Sequence, residues 1–410
     1  MTDYDLAIAG TGPAGLMTAQ RAAALGLRTL VLERRNSVTD ALMGELVTEK
    51  AIRMLGVRPG SEYVSNKFTA IVGESLDTGS KIVVDRRLLG NSYLLDESRC
   101  KELMRDRAIS HGAEFIYKSP VQSVIFDAGH VCGVRCSDGR EYAAGLTVGA
   151  DGSYSRVSET AGFRHPRWLL SYGYRFKLAG CKGLDPSTAY FYVGEDVGLG
   201  YLWLYPRSET ETNLGIGRVP THRQTWERLP PMRDVLYKFM REHPETQNAR
   251  VVAVNGGVVP CAGLIPRFTD AGVALCGNAA GQVSSIVGGG VTTCLHAGAL
   301  LAKHAKRMAD TGDFSRSSVR KYEIEYRKTR LAYSIQNTGR GMWAVTKYSM
   351  LNDPIDAAET VLKQLDAQTL NDLIQGHANV STAVGLLTRF LPMVINIGVG
   401  YLRSIAVTGP

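Results

Sequence analysis

The segment Gly10-Thr11-Gly12-Pro13-Ala14-Gly15 constrains this chain more than any other. It follows a short apolar strand, Tyr4–Ala9, and opens an alanine-rich helix, Leu16–Leu25, that closes at Gly26. A second strand, Arg28–Leu32, then ends in the acid Glu33, roughly 20 residues after the turn, as the dinucleotide fingerprint requires. Each glycine has a separate task in such a unit. Gly10 permits the tight turn, Gly12 lets a diphosphate approach the backbone, and Gly15 lets helix and strand pack closely. Pro13 and Ala14 complete the turn before the helix, whose positive end faces the diphosphate. Glu33 is placed to hydrogen-bond the ribose hydroxyls, with Arg34 beside it.

Two later segments extend the site. Ala150-Asp151-Gly152-Ser153-Tyr154-Ser155-Arg156 ends an apolar strand. Cys276-Gly277-Asn278-Ala279-Ala280-Gly281 follows a buried strand and leads to Gly288-Gly289-Gly290 and a long helix. With these three motifs in this order, residues 1–310 resemble the flavoprotein superfamily of aromatic hydroxylases and geranylgeranyl reductases. The resemblance implies that all three serve one FAD. Asp151 would support the cofactor cleft, and Gly277, Asn278 and Ala280 would lie at the ribityl chain, with Asn278 where the family has an aspartate. Gly288, Gly289 and Gly290 would aim amides at the isoalloxazine, and Arg99 matches a family arginine over the cofactor.

Gly200-Tyr201-Leu202-Trp203-Leu204-Tyr205-Pro206 narrows the resemblance to the geranylgeranyl reductases, being similar to their Tyr-x-Trp-x-Phe-Pro motif. On a strand, Tyr201, Trp203 and Tyr205 share one face, as a wall for a long apolar substrate. These three are the candidate catalytic residues. Ser284–Gly290 keeps Ile286 and the three glycines of the reductase pattern, whereas Thr39–Glu45 lacks the family's Lys-x-Cys-Gly cysteine. The implied reaction is saturation of isoprenoid carbon–carbon double bonds, with NADPH or a ferredoxin as electron donor. The alternatives are an FAD monooxygenase or halogenase, and a non-catalytic, membrane-associated flavin electron carrier.

The expected fold is α/β. A discontinuous Rossmann-type FAD-binding domain of aromatic-hydroxylase type (β-β-α-β-β; residues 1–70, 95–165 and 265–312) interleaves with an antiparallel-sheet substrate domain (71–94 and 166–264). A helical region, 313–410, completes the chain. Within it Ala383–Leu402 is apolar apart from Arg389, which suits an interfacial or tunnel-lining helix and peripheral membrane contact. The net charge of +8 fits anionic headgroups or an acidic metabolite. Without a Lys/Arg run or a nucleic-acid-binding signature, no nucleic-acid partner is expected. The seven cysteines include no CxxC pair, which argues against a metal cluster or a disulfide framework. The apolar run Leu6–Ala9 enters the glycine turn directly, so no leader is expected and the location is read as cytoplasmic, at most peripheral at the inner membrane face.

Overall fold

The computed structural model describes residues 2–40, 43–85, 91–164, 169–220, 229–285 and 288–348. The segment Ala383–Leu402, together with Ala41, Leu42 and Ile286, lies outside the described residues.

The opening strand Tyr4–Ala9 sits centrally in the first sheet. It is flanked in parallel by Thr29–Leu32 on one side and Glu141–Gly149 on the other. Glu114–Ile116 and Val273–Leu275 extend the parallel array outward, and Thr269–Asp270 closes one edge antiparallel. Leu6, Ala7 and Ile8 are fully buried, which is why this strand reads as a continuous apolar run instead of an alternation. A ribbon of Val121–Asp127 and His130–Cys136 folds against the start of Glu141–Gly149, turning at Gly139 as the Asp138-Gly139 pair predicts. The helices Pro13–Ala24 and Val291–Thr311 cross so closely that a methyl group on Gly298 would stand 2.5 Å from the Ala14 carbonyl oxygen. On the same core, Tyr322 and Tyr326 of the helix Arg316–Arg327 meet Phe268 edge-on. The helix Arg330–Tyr348 follows, so the helical character expected after residue 313 holds as far as the description runs.

The second sheet has seven strands, in the order Arg250–Pro260, Leu170–Ala179, Glu211–Arg218, Gly200–Pro206, Thr188–Val193, Ala70–Ser75, Lys81–Asp85. It is not wholly antiparallel as expected, because Thr188–Val193 runs parallel to Ala70–Ser75. The chain between those two strands passes through the cofactor domain, so no hairpin dictates their relative direction. Alternation sorts the side chains. Phe176, Leu178, Leu202, Leu204, Leu214 and Ile216 pack under the helix Met232–Glu242, leaving their odd-numbered neighbours on the opposite face.

A small third sheet, Leu46–Thr48, Ser92–Leu95 and Val64–Phe68, wedges between the other two. Its residues Val47, Tyr93 and Leu95 pack with Leu16 and Met17 of the cofactor domain, while Phe68 and Leu94 pack with Ala189 and Tyr205 of the second sheet. The stretch 71–94, assigned by sequence to the substrate domain, is therefore divided. Strands Ala70–Ser75 and Lys81–Asp85 join the second sheet, and Ser92–Leu95 joins the wedge.

Candidate functional site

The glycine turn is shaped by what surrounds it. Gly10 has φ +101°, and a Cβ there would stand 2.5 Å from the Ala150 carbonyl oxygen. A Cβ on Gly15 would meet the Gly10 oxygen at 2.1 Å, whereas one on Gly12 would meet nothing within 4 Å. Gly12 is also the N-cap of the first helix and offers no side-chain cap, with Pro13 following. The positive helix end thus opens onto free space. Glu33, 3% exposed, accepts hydrogen bonds from the Thr11 amide at 3.0 Å and the Arg35 amide at 2.9 Å. A buried acid at the rim of an open, uncapped helix start fits the diphosphate and ribose of FAD.

The second and third motifs converge on this turn. Asp151 accepts from Ser155 Oγ and from the amides of Arg156 (2.8 Å) and Val157 (3.2 Å), while burial pushes its carboxyl above the usual range. Ser155 caps the helix Arg156–Thr160 by accepting from the Ser158 amide at 2.9 Å, and the backbone of Ala150 and Asp151 forms the wall behind Gly10. Gly277 lies against Ala14, where a Cβ would come within 2.9 Å of the alanine methyl. The Gly277 amide donates to Gln282 Oε1 at 2.7 Å, Gln282 Nε2 donates to the Tyr322 hydroxyl at 3.0 Å, and Thr293 Oγ1 donates to the Gln282 backbone carbonyl at 2.6 Å. Gln282 carries no signal in the sequence motif, yet it fixes the Gly277–Ala280 turn from behind. Gly288 has φ +59° with open space before it, beside Gly289, and Gly290 is the N-cap of Val291–Thr311, again without a side-chain cap or first-turn acid. A Cβ on Gly290 would stand 3.7 Å from Asn278 Oδ1, which joins the ribityl and ring motifs. Arg34 is exposed, and the half-exposed Arg99 pairs with Glu62 on the surface.

Asn278 Nδ2 donates to Ser153 Oγ at 3.4 Å, and Ser153 Oγ donates its proton to the Val258 carbonyl at 2.6 Å, linking the cofactor loop to the second sheet. A hydroxyl has one proton to give. An aspartate at 278 would require that proton for itself and strand the Val258 carbonyl. Asn278→Asp is therefore expected to lower the melting temperature by an amount corresponding to about 1–3 kcal/mol, with Ser153→Ala removing most of the difference in a double-mutant cycle. Additive effects of the two changes would contradict the shared bond.

The three rings of Gly200–Pro206 form one row on the face opposite the helix Met232–Glu242. Their centroids are 5.8 Å (Tyr201–Trp203) and 6.1 Å (Trp203–Tyr205) apart, with Phe191 edge-on to Tyr201 and Tyr205. Across the ladder, Tyr201 faces Gly217, Trp203 faces Gly215 and Tyr205 faces Asn213. The indole of Trp203 lies over Gly215, since a Cβ there would fall 2.2 Å from Cζ2. Burial holds the phenols of Tyr201 and Tyr205 protonated far above their ordinary range. On the same face, Arg175 Nη1 bridges Glu97 (2.5 Å) and Glu45, and Asn213 Nδ2 donates to Glu45. The row thus faces the cofactor domain. Nothing in the motifs singles out Glu45, Glu97, Arg175 or Asn213. For Arg175 and Asn213 the one sequence trace is polarity on the inward phase of two alternating strands.

Lys101, on the helix Glu97–Ser110, is fully buried and faces Glu97 and Glu33; burial lowers its ammonium to about 8 from 10.5. In the unfolded chain it stays charged to higher pH, so the native state sheds the proton first and its stability rises between pH 8 and 10.5. Chemical denaturation of wild type and Lys101→Met should show their stability difference shifting toward wild type over that window, by on the order of 3 kcal/mol. A pH-independent difference would contradict the assigned burial cost.

Two family models match the chain: an FAD binding domain over residues 3–193 and a geranylgeranyl reductase catalytic domain over residues 170–259. Among similar proteins, digeranylgeranylglycerophospholipid reductase 2 of Methanothermobacter thermautotrophicus is 28% identical over 381 residues, covering 90% of this chain and 94% of that protein. The namesake from Methanopyrus kandleri is 26% identical, covering 94% and 96% respectively. The fold matches a geranylgeranyl bacteriochlorophyll reductase-like protein of Thermoplasma acidophilum with a TM-score of 0.78, at 21% identity and 98% coverage of both chains. A flavin-dependent brominase shares the fold at TM-score 0.69 and 18% identity, covering 91% of this chain and 92% of that one. The two matched models together span residues 3–259, the part of the chain that carries the uncapped glycine turn and the aromatic row. Over nearly its whole length the chain is similar to geranylgeranyl reductases, with an FAD binding domain at its start.

Proposed function

We propose that this protein is an FAD-dependent reductase that saturates carbon–carbon double bonds of a geranylgeranyl-type chain carried on a lipid. The observation that carries the reading is the row Tyr201, Trp203 and Tyr205, set on the one face of the second sheet that is tied to the cofactor domain by Arg175, Glu45 and Glu97. The relatives named as digeranylgeranylglycerophospholipid reductases support the substrate class.

Gly10, Gly12 and Gly15 receive the diphosphate, Glu33 the ribose hydroxyls, and the turn at Gly277, Asn278 and Ala280 the ribityl chain. Gly288, Gly289 and Gly290 present the start of their helix to the ring system, where small residues and unspent amides favour negative charge. Bound FAD, once reduced, supplies the hydride. An isolated alkene has no carbonyl to absorb charge, so the protein's part is placement and exclusion of water. The stacked rings wall the chain, and their close packing keeps water from the reacting carbons.

The electron donor in this reading is NADPH or a ferredoxin, in keeping with a sequence that carries one dinucleotide fingerprint. Among the described residues no helix is long and apolar enough to cross a membrane. A lipid-borne substrate would be met at a membrane face, with Ala383–Leu402 as the contact.

The test is anaerobic reduction of the FAD-bound protein with dithionite, followed by addition of a geranylgeranyl lipid. The expected result is reoxidation of the flavin spectrum together with a mass gain of one H2 per double bond reduced. A flavin that stays reduced until oxygen is admitted would reject the reading in favour of a monooxygenase or halogenase.

A further inference from the structure

Beside the aromatic row lies a buried ionic cluster that the cofactor site and the ring wall leave without a task. Arg175, on the strand Leu170–Ala179, directs a single guanidinium nitrogen at two carboxylates, Glu45 and Glu97. Glu97 comes from the first turn of the helix Glu97–Ser110 and also accepts from the Met43 amide at 3.1 Å. Glu45 comes from the segment entering the wedge sheet and is 5% exposed; its second oxygen accepts from Asn213 Nδ2.

A buried and a partly buried carboxylate sharing one nitrogen favour retention of a proton on the buried one, because burial and like charge act in the same direction. Glu45 is the deeper of the two. Burial raises its carboxyl above the usual range and the Glu97 charge adds to this, while Arg175 and Arg207 pull the other way. Arg207 is engaged elsewhere, donating to Ser65 Oγ at 2.6 Å and approaching Asp96 at 3.5 Å. Lys101 faces Glu97 and Glu33. On the sheet side the titratable group is Tyr205, which stands directly across the ladder from Asn213, with its phenol feeling the Glu45 charge.

The location of Glu45 gives the cluster its meaning. A Cβ on the preceding Gly44 would stand 3.2 Å from Val291 Cγ2, at the first residue of the helix led by Gly288–Gly290. Glu45 therefore lies between the helix start that presents amides to the cofactor ring and the last ring of the substrate wall.

We propose that Glu45 is the proton store of the reduction, supplying the Tyr205 hydroxyl at the substrate wall. The proposal rests on the reductase reading above. As the hydride reaches one alkene carbon, the O–H bond of Tyr205 breaks and a C–H bond forms at the other carbon. The phenolate oxygen takes the proton of the Glu45 carboxyl, leaving a carboxylate held by Arg175 and Asn213. Water returns the proton once the saturated product departs, so each double bond consumes one hydride and one proton. Burial makes Tyr205 a weak acid by itself, which is why a carboxyl behind it matters. Acting through Tyr205, Glu45 is a positioning residue, and its test needs readouts that a structural role would leave unmoved.

The experiment compares FAD-bound wild type with Glu45→Gln, Glu45→Asp, Glu97→Gln and Tyr205→Phe. Infrared spectra of the holoenzyme in light and heavy water report protonated carboxyl groups directly. The C=O stretch is expected in wild type and Glu97→Gln and lost in Glu45→Gln. In single turnovers of the dithionite-reduced protein with a geranylgeranyl lipid, Glu45→Gln and Tyr205→Phe should each slow alkene reduction roughly 10²–10³-fold. Both should retain FAD, and Glu45→Asp should recover part of the rate. The wild-type rate should fall at alkaline pH along the titration of the infrared band. A wild-type spectrum with no Glu45 band, or Glu45→Gln turning over within a factor of about three of wild type, overturns the proton store while leaving the reductase reading intact. Wild type that reduces no lipid overturns both.

Discussion

Replacing Gly15 with alanine is expected to yield a destabilised protein that purifies without FAD. The added methyl would stand 2.1 Å from the Gly10 oxygen and 3.2 Å from the Ala150 Cβ. The nearer obstacle is backbone, so no side-chain rotation relieves it. Interiors are close-packed, and an extra methyl that forces backbone apart costs about 1–3 kcal/mol. The displaced helix start would also turn its amides away from the diphosphate. Gly12→Ala is the matched comparison, because that methyl meets nothing within 4 Å. It should fold with an unchanged apoprotein melting temperature and lose FAD affinity alone, since its methyl occupies the diphosphate's approach. Thermal melts of both apoproteins and flavin titrations separate the two effects. Equal melting temperatures for both variants would show that the turn tolerates side chains at either glycine and would weaken its assignment.

The second large effect lies on the substrate wall. Gly215→Ala should abolish most alkene reduction while sparing FAD binding. The indole of Trp203 occupies the place of that methyl, at 2.2 Å from Cζ2 and 2.4 Å from Cε2, so the ring must lift from the sheet. Trp203 Nε1 is buried without a hydrogen-bond partner among the described residues, so no bond anchors the displaced ring. It would move into the space assigned to the isoprenoid chain, and a misplacement of about 1 Å at a reacting centre costs on the order of 10²-fold in rate. Gly217→Ala provides the contrast, with its methyl 3.6 Å from Trp203, an ordinary contact. Single-turnover rates and flavin titrations of the pair test the wall directly. A Gly215→Ala protein that reduces geranylgeranyl lipid at the wild-type rate would remove Trp203 from the substrate path.

The two glycine pairs also show where sequence reasoning reaches and where it stops. Gly10, Gly12 and Gly15 were legible because their spacing is tied to local geometry: strand, turn and helix start are adjacent in the chain. The Tyr201–Trp203–Tyr205 row was legible because alternation is a local rule. The special status of Gly215 was not, since it depends on a neighbour strand's register, and the same is true of the glutamine at 282 behind the cofactor turn. Arg99, carried over from the resemblance, is half-exposed and pairs with Glu62. The direction of the Thr188–Val193 strand and the allegiance of Ser92–Leu95 were likewise invisible, because short strands pair according to what the rest of the chain brings near.

Sequence by itself determined the parallel cofactor sheet, its glycine turn and acid, and the existence of an aromatic strand, because each is written in residues close together along the chain. Only the tertiary structure decided that this strand turns its rings toward the cofactor domain. Only it decided that Glu45 and Glu97, from two segments of one domain, meet Arg175 of the other around a single nitrogen. Burial and Coulomb interaction depend on distances in space, and residues separated by 130 positions have none until the sheets have docked.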